Sequence, residues 1–237
     1  MSEETVSLPP LMQGEAVTGA TDPMTHAEAM AALGCDGGTL VYNIQADRLR
    51  AALIFAPEVE LGEAMAMLPV CGIGFQNALG ALAPPEVAVH LGWAGDIRVN
   101  GANCGRLQVA ADSVEADQVP DWLIVGFDLA ILLTGSQPGE TPDQTALYEE
   151  GCAEVSLPHL VESWARHTLV WINRWSEAGN APVHAEWMGL LHGVGEAMEW
   201  DGRSGTFLGL DERFGMLLRT DEETHLVPLT DLLEDRT

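Results

Sequence analysis

The sequence contains no lysine, and its ten basic residues are all arginines, set against 36 aspartates and glutamates. Without lysine the chain cannot form an internal Schiff base, which excludes covalently held pyridoxal phosphate. It also cannot supply the lysine of a phosphate-binding P-loop. The formal net charge of −26 repels the phosphate backbone of nucleic acids, so we expect no nucleic-acid partner. The same field disfavours any anionic ligand unless arginines cluster locally.

Metal motifs, cysteine pairs and membrane segments are also missing from the sequence. Cys35, Cys71, Cys104 and Cys152 are widely spaced with no CxxC pair, which predicts reduced thiols rather than a zinc or dithiol site. The histidines show no metal-binding spacing, so we expect no metal. The N-terminus lacks the features of a signal peptide, and no apolar run approaches the ~20 residues that span a bilayer. We therefore expect a soluble, cytoplasmic protein with no membrane partner.

Strands and helices alternate along most of the chain. Apolar runs predict strands at 39–43, 49–55, 87–91, 97–100, 107–111 and 123–133. Helical periodicity predicts helices at 25–33, 61–82, 160–175 and 184–191. Trp164, Trp171 and Trp175 recur at helical spacing, which favours core packing over an aromatic cage. Three short strands follow at 206–210, 216–219 and 226–229.

This pattern predicts an α/β fold of the α+β type, in which a mixed β-sheet packs against helices and a small β domain follows at the C-terminus. The hydrophobic content of 47% is enough for a substantial core. We expect an extended N-terminal arm over residues 1–24, a main domain over residues 25–200 and the small β domain over residues 201–237.

One glycine-rich segment carries the most information about function. Residues 92–107 read GWAGDIRVNGANCGRL, and the glycines predict a hairpin whose backbone can approach a bound ligand closely. The segment resembles the central motif of the biotin/lipoate protein ligases, in which a Lys-Trp-Pro-Asn-Asp run enters a strand and Val-Asn-Gly and Gly-Ile-Leu follow. The matching residues are Trp93, Asp96, Val99, Asn100, Gly101, Gly105 and Leu107.

Four more segments extend the resemblance over about residues 87–219. They are LIVGFDLAI at 123–131, which keeps the family's Gly at Gly126, TALYEEG at 145–151, GNAPVHAEW at 179–187 and GTFLGLDERFGMLLR at 205–219. The last is similar to the SH3-like C-terminal β domain of these ligases. The resemblance implies the ligase fold. It also implies an enzyme that activates a biotin or lipoate carboxylate with ATP and passes the acyl group to a lysine of a carrier protein.

Three departures from the family affect this implied chemistry. Gly92 stands where the motif has its first lysine, and residues 102–104 are one residue short and lack the second. The interval NIQADRLRAA at 43–52 replaces an arginine- and glycine-rich loop, keeps only Arg48 and Arg50, and is too short to close over a ligand. Joining a carboxylate to a phosphate requires positive charge placed in advance, and arginine does not simply replace lysine in that role.

Three hypotheses follow from the resemblance and its departures. The leading one is a pseudoenzyme of ligase fold that binds a small acyl or carboxylate ligand, or a protein partner, without standard ligase chemistry. The second is a divergent active ligase or acyltransferase that uses arginines, for which biotin, lipoate or ATP would be ligands. It predicts that Arg48, Arg50, Arg98 and Arg106 converge on one pocket. The third is a scaffold or regulatory protein, for instance a homodimer, with an exposed apolar patch.

The candidate ligand-binding residues lie in the two best-matched motifs, and none is assigned a catalytic role. They are Trp93, Asp96, Arg98, Asn100, Gly101, Cys104, Gly105, Arg106 and Gly126. Arg98 and Arg106 are the only cations of the hairpin and therefore the candidates for an anion site. The competing interpretation is two surface arginines that offset local acidity. Cys104 is a conceivable acyl-transfer nucleophile, but it lacks a basic activator nearby in sequence, so a buried thiol is preferred.

Overall fold

The structure, a computed structural model, describes residues 6–133 and 143–234. The strands of the main sheet are β1 Gln13–Ala16, β2 Thr39–Ile44, β3 Arg48–Phe55, β4 Val89–Leu91, β5 Asp96–Val99, β6 Ala102–Ala111 and β7 Leu123–Ala130. The helices around it are α1 Pro23–Ala32, α2 Leu61–Ala64, α3 Met67–Leu82, α4 Leu157–Ala178 and α5 Asn180–Leu190. The C-terminal elements are β8 Ala197–Trp200, β9 Arg203–Leu210, β10 Met216–Arg219, β11 Thr224–Val227 and α6 Asp231–Glu234.

The main sheet is mixed, and its strand order is β1-β2-β3-β7-β6-β5-β4. Only β1 and β2 are parallel, while every other neighbouring pair is antiparallel. The C-terminal elements form a separate antiparallel sheet of order β11-β10-β9-β8. The predicted fold class, a mixed sheet with packed helices and a small C-terminal β domain, is confirmed.

One face of the main sheet is buried under α3 and α4. Phe127 of β7 contacts Phe75 of α3 and Trp164 of α4, with ring centroids 5.3 and 4.8 Å apart. Trp164 and Trp171 are both buried, so the predicted core role of these two residues is confirmed. Ser156 caps the N-terminus of α4 by accepting from the backbone N–H of His159, which fixes where this amphipathic helix begins.

The other face of the sheet is only partly covered, because α1 is ten residues long. Met24 and Ala27 of α1 pack on one end of this face, against residues that include Val41, Ile54 and Ile124. Asp22 ends the preceding loop and caps α1 by accepting from the backbone N–H of Thr25 at 3.0 Å. Beyond the N-terminus of α1, no described helix covers the sheet face, which carries polar side chains.

The helix predicted over residues 61–82 is interrupted after Ala64. Pro69 lacks an N–H and cannot donate to the carbonyl of Met65; instead the N–H of Leu68 donates to it at 3.0 Å in a tighter turn. Among the described residues, Leu61–Leu82 is the one helical stretch long and apolar enough to cross a membrane. Because 72% of its most apolar window is buried inside the protein, it is the core helix of the main domain.

Several predicted boundaries differ from the structure. The expected N-terminal arm contains β1, which pairs in parallel with β2 through Gln13 opposite Thr39. The second strand of the motif hairpin begins at Ala102 rather than Leu107, and β7 ends at Ala130 rather than Leu133. The C-terminal sheet begins at Ala197, four residues before the expected boundary. Residues 1–5 of the arm and 235–237 of the small domain lie outside the described residues.

Trp93 joins the two sheets. Its indole N–H donates to the carbonyl of Phe214 in the C-terminal domain at 2.8 Å, and its ring meets Trp200 edge-on with centroids 4.9 Å apart. Trp93 and Phe214 are each only 1% exposed. A motif residue expected to contact a ligand therefore holds the C-terminal domain against the main domain.

We predict that Trp93→Phe lowers the free energy of unfolding by about 1–3 kcal/mol, because it leaves the buried carbonyl of Phe214 without a donor. Urea unfolding followed by far-ultraviolet circular dichroism measures this. The matched control is Trp175→Phe, which removes an indole donor to Asn180 from a partly buried site. It should lower the free energy of unfolding by a smaller amount. Equal losses for the two variants would contradict the structural role assigned to Trp93.

Candidate functional site

A row of alternating charges crosses the open face of the main sheet. The strand register places Arg50 of β3 opposite Asp128 of β7, Asp128 opposite Arg106 of β6, and Arg106 opposite Asp96 of β5. Directly opposed residues of antiparallel strands project from the same face of the sheet. The order along the row is therefore cation, anion, cation, anion.

A cavity of about 680 Å³ lies over this row. Among the described residues, its charged lining consists of three arginines and three aspartates: Arg48, Arg50, Arg106, Asp47, Asp96 and Asp128. Residues including Gln45, Asn103, Gln144 and Thr145 complete the polar part of the wall. The lining charges sum to zero, so this part of the cavity is not a basic pocket.

Two of the three arginines are already paired with carboxylates of the protein. The guanidinium of Arg48 lies 3.0 Å from Asp128, and that of Arg50 lies 3.3 Å from Asp22. Arg50 also donates to the side-chain carbonyl of Gln45 at 3.2 Å. These contacts hold both guanidinium groups against the wall of the cavity.

Asp128 sits at the centre of the row in a partly desolvated position. Burial raises the pKa of this carboxyl above its usual range, although Arg48, Arg50 and Arg106 each act to lower it. The negative charge of Asp22 adds to the upward shift. The arginines around Asp128 therefore do not fully compensate the cost of keeping it ionised.

Arg106 and Asp96 are the exposed members of the row. Within residues 6–133 and 143–234, Arg106 forms no ion pair. The carboxylate of Asp96 accepts from the side-chain amide of Asn103 at 3.3 Å. Both side chains line the cavity, where they are available to a ligand.

Four of the nine predicted candidates line the cavity, namely Asp96, Cys104, Gly105 and Arg106. Gly105 lies inside β6, where an added Cβ would collide with the backbone carbonyl of Asp128 on the neighbouring strand. Its lack of a side chain lets β6 and β7 approach closely beneath the cavity.

The remaining five candidates do not line the cavity and have structural contacts instead. Arg98 donates to the carbonyl of Gly101 at 2.8 Å, so its expected role in the anion site is not supported. Asn100 and Gly101 have φ of 50° and 93°, which makes them the tight turn of the β5–β6 hairpin. Gly126 lies against Met24 of α1, where an added Cβ would come within 2.7 Å of the sulfur. Trp93 serves the domain junction.

Cys104 is buried, and its sulfur lies 3.6 Å from the carbonyl oxygen of Ala130. Burial raises the pKa of this thiol to about 12, and the nearby charges of Glu150 and Cys152 add to the shift. Very little thiolate is present at neutral pH, which disfavours a nucleophilic role.

The connection between β2 and β3 forms no lid. The backbone N–H of Gln45 donates to the carbonyl of Arg48 at 2.9 Å, which closes a tight turn with Ala46 and Asp47 at its tip. The carbonyl of Asp47 in turn accepts from the N–H of Ile131 at 2.8 Å. The interval that resembles a shortened ligase loop is therefore fixed to the end of β7.

Two aspartates of the cavity were not among the predicted candidates. Asp128 is the only charge in the apolar run LIVGFDLAI, and a lone charge in a strand buried on its other face was a usable signal. Asp47 lies in an exposed turn, and its type and spacing carry no signal that could have identified it.

A helix-backed sheet with a cavity on its other face, followed by a small β-sheet, defines an α/β domain with an appended β domain. The sequence profile of the biotin/lipoate A/B protein ligase family matches residues 8–189. Residues 194–235 match a domain of unknown function, DUF4444. The first match covers most of the chain, so this protein belongs to the biotin/lipoate A/B protein ligase family, as the hairpin motif predicts.

Solved structures support this assignment. A biotin protein ligase-like protein of unknown function from Silicibacter sp. TM1040 is 61% identical, with a TM-score of 0.91 over 97% of this chain and 99% of that one. Biotin protein ligase from Aquifex aeolicus in complex with biotin and ATP is 17% identical, with a TM-score of 0.67 over 92% and 95%. The Leishmania major enzyme with biotinyl-5-AMP is 16% identical, with a TM-score of 0.59 over 92% and 99%. The last two share the fold alone. A comparison with curated proteins gives no match.

We predict that native alkylation with iodoacetamide modifies Cys35 first, because it is the only cysteine that is not buried. Cys71, Cys104 and Cys152 should react only after unfolding, since burial raises the pKa of all three thiols. Intact mass followed by peptide mapping measures this. Rapid modification of Cys104 in the folded protein would contradict its assignment as an inert thiol.

We predict that Asp128→Asn becomes more stable relative to the wild type as pH rises. A carboxyl whose pKa is higher in the folded protein than in the unfolded chain contributes stability at low pH, and this contribution is lost as pH rises through the folded pKa. The lost pairing with Arg48 should matter little, because that side chain is 53% exposed.

The free energy of unfolding of both proteins, measured between about pH 4 and about pH 8, checks this expectation. Asp117→Asn makes the same charge change at an exposed site and serves as the control. A difference between Asp128→Asn and the wild type that stays flat or shrinks with rising pH would contradict the raised pKa.

Proposed function

We propose that this protein binds a small carboxylate or acyl compound in the cavity over the charge row and does not carry out the ATP-dependent ligation of its family. The observation that supports this most directly is the charge balance of the cavity. Three arginines face three aspartates, and two of those arginines are already paired with carboxylates.

Ligation would bring a carboxylate and a triphosphate into one site. Such a site needs an excess of fixed positive charge where negative charge accumulates. Here the described part of the lining has no excess of positive charge, and the whole chain carries a formal net charge of −26. The absence of lysine removes the compact point charge best suited to this task.

The tight turn between β2 and β3 supports the same conclusion. A loop that covers an activated intermediate excludes water and brings backbone N–H groups to the phosphate. The Gln45–Arg48 turn is closed by its own hydrogen bond, and a second hydrogen bond joins it to the residue after β7. It is therefore too short to cover a ligand. The described part of the site therefore lacks both features that ligation needs, an excess of fixed positive charge and a loop that covers the activated intermediate.

A single carboxylate has a natural partner in Arg106. This guanidinium is exposed within the cavity and has no ion-pair partner in the described chain, so it can offer a two-pronged hydrogen bond to a carboxylate. Residues including Ala130, Leu132 and Leu133 supply an apolar part of the lining, which suits the carbon chain of an acyl compound.

A second candidate function is a divergent ligase that uses arginines. The convergence of Arg48, Arg50 and Arg106 on one cavity favours it, although Arg98 does not join them. The family also contains biotin protein ligases that share this fold, including one solved with biotin and ATP. The two candidates differ in what they require of ATP, so one set of titrations separates them.

We predict that calorimetry detects binding of octanoate, biotin or lipoate but no binding of ATP, and that no pyrophosphate is released when both are present. Arg106→Gln should weaken carboxylate binding roughly 10- to 100-fold, because a charged hydrogen bond contributes about 1.5–3 kcal/mol. Arg98→Gln makes the same change outside the cavity and should leave the affinity unaltered, with its folding verified by thermal unfolding.

Tight ATP binding with pyrophosphate release, lost in Arg48→Gln and Arg50→Gln, would instead establish the divergent ligase. Absence of binding for every carboxylate would contradict both candidates and leave a protein partner as the remaining hypothesis.

A further inference from the structure

Two opposite charges stand side by side in the cavity without pairing. Arg106 on β6 and Asp96 on β5 are directly opposed in the register, on strands about 5 Å apart. Opposite charges at such cross-strand positions normally pair and stabilise the sheet. Yet no contact of 4.0 Å or less joins their charged groups, although both side chains line the same cavity.

The other ion pairs at this site are complete without a ligand. Arg48 is paired with Asp128, and Arg50 with Asp22. Within the described chain, Asp96 has one neutral side-chain partner, the amide of Asn103, whose own carbonyl oxygen accepts from the N–H of Gly105. One cation and one anion of the row, Arg106 and Asp96, thus face the cavity without an ion-pair partner among residues 6–133 and 143–234.

We propose that the ligand is a zwitterion, an aminocarboxylate whose carboxylate accepts hydrogen bonds from Arg106 and whose ammonium group donates to Asp96. This rests on the proposed function, since it takes Arg106 as the carboxylate partner. It adds that the ligand carries a cationic group at its other end, which carboxylate binding alone does not require.

The argument for the cationic group is the placement of the aspartates. A carboxylate bound at Arg106 has Asp96 on one side and Asp128 on the other, each one strand away. A simple carboxylate meets repulsion from both. An ammonium group on the same ligand places a positive charge against Asp96 and converts one of those repulsions into an attraction.

The register also sets the length of the ligand. Arg106 reaches farther from the sheet than Asp96, so the bound charges would be separated by roughly 5–7 Å, or about one strand spacing plus the difference in side-chain length. An ω-amino carboxylate of about four to six carbons spans this separation. A ligand with adjacent charges, such as glycine, is too short to reach both side chains.

The test compares ligands that differ only in the amino group. Calorimetric titrations would use 6-aminohexanoate against hexanoate, 4-aminobutanoate against butanoate, and glycine as the short zwitterion. We expect each ω-amino compound to bind at least about 10-fold more tightly than its parent acid, which is about 1.4 kcal/mol, and glycine to bind more weakly than either.

Three variants test whether Asp96 causes the preference for the amino compound over its parent acid. Asp96→Asn should remove the difference between 6-aminohexanoate and hexanoate while hexanoate binds as well as or better than to the wild type. Arg106→Gln should weaken both ligands. Asp117→Asn, the same change at an exposed site outside the cavity, should preserve the difference.

The outcomes separate the two proposals. If hexanoate binds through Arg106 and the amino group gives no advantage, the zwitterion is wrong and carboxylate binding stands. A preference for the amino compound that survives Asp96→Asn also overturns the assignment. If neither compound nor any of the longer carboxylates binds, both proposals fail.

Discussion

The different covering of the two faces of the main sheet is the constraint on which the site depends. Helices α3 and α4 bury the centre of one face, with Phe127 held between Phe75 and Trp164. Since strand residues alternate between faces, this burial fixes the register and sends Asp128 to the opposite side. There the short helix α1 covers only one end. The charge row exists because the sheet is firmly packed behind it and open in front.

The alternation of charges limits the range of the positive electrostatic potential around each arginine of this face. An arginine in such a row is flanked by carboxylates, so its positive potential is confined to its own end group. A polyanion that needs several cations at once gains little from this arrangement, whereas a small ligand that presents one charge to each residue matches it. The arginines of this cavity therefore differ in their effect from a basic cluster of the same number.

The sequence allows the fold and family to be predicted well, because helical and strand periodicity and the hairpin motif are local features. It identifies Asp96 and Arg106 through the same motif. The rest of the site depends on long-range pairing. Arg50 and Asp128 are 78 positions apart and meet only because β7 inserts between β3 and β6, an order that periodicity does not specify. The contact of Trp93 with the C-terminal domain could not be predicted either, because its partner, Phe214, is 121 positions away.

Gly92, which stands where the ligase motif has a lysine, lies directly beside Asp96, which the motif shares. Gly92 donates its N–H to the carbonyl of Asp96 in a turn, and a Cβ added at Gly92 would lie 3.0 Å from the Cβ of Asp96. That separation is tighter than ordinary packing, so a lysine at this position, where the ligase motif has one, requires the Asp96 side chain to shift. Glycine at position 92 places no side chain against Asp96, whose carboxylate lines the cavity. The substitution that removes a ligase cation thereby also leaves room in the cavity for the carboxylate to which we assign the ammonium group of the proposed ligand.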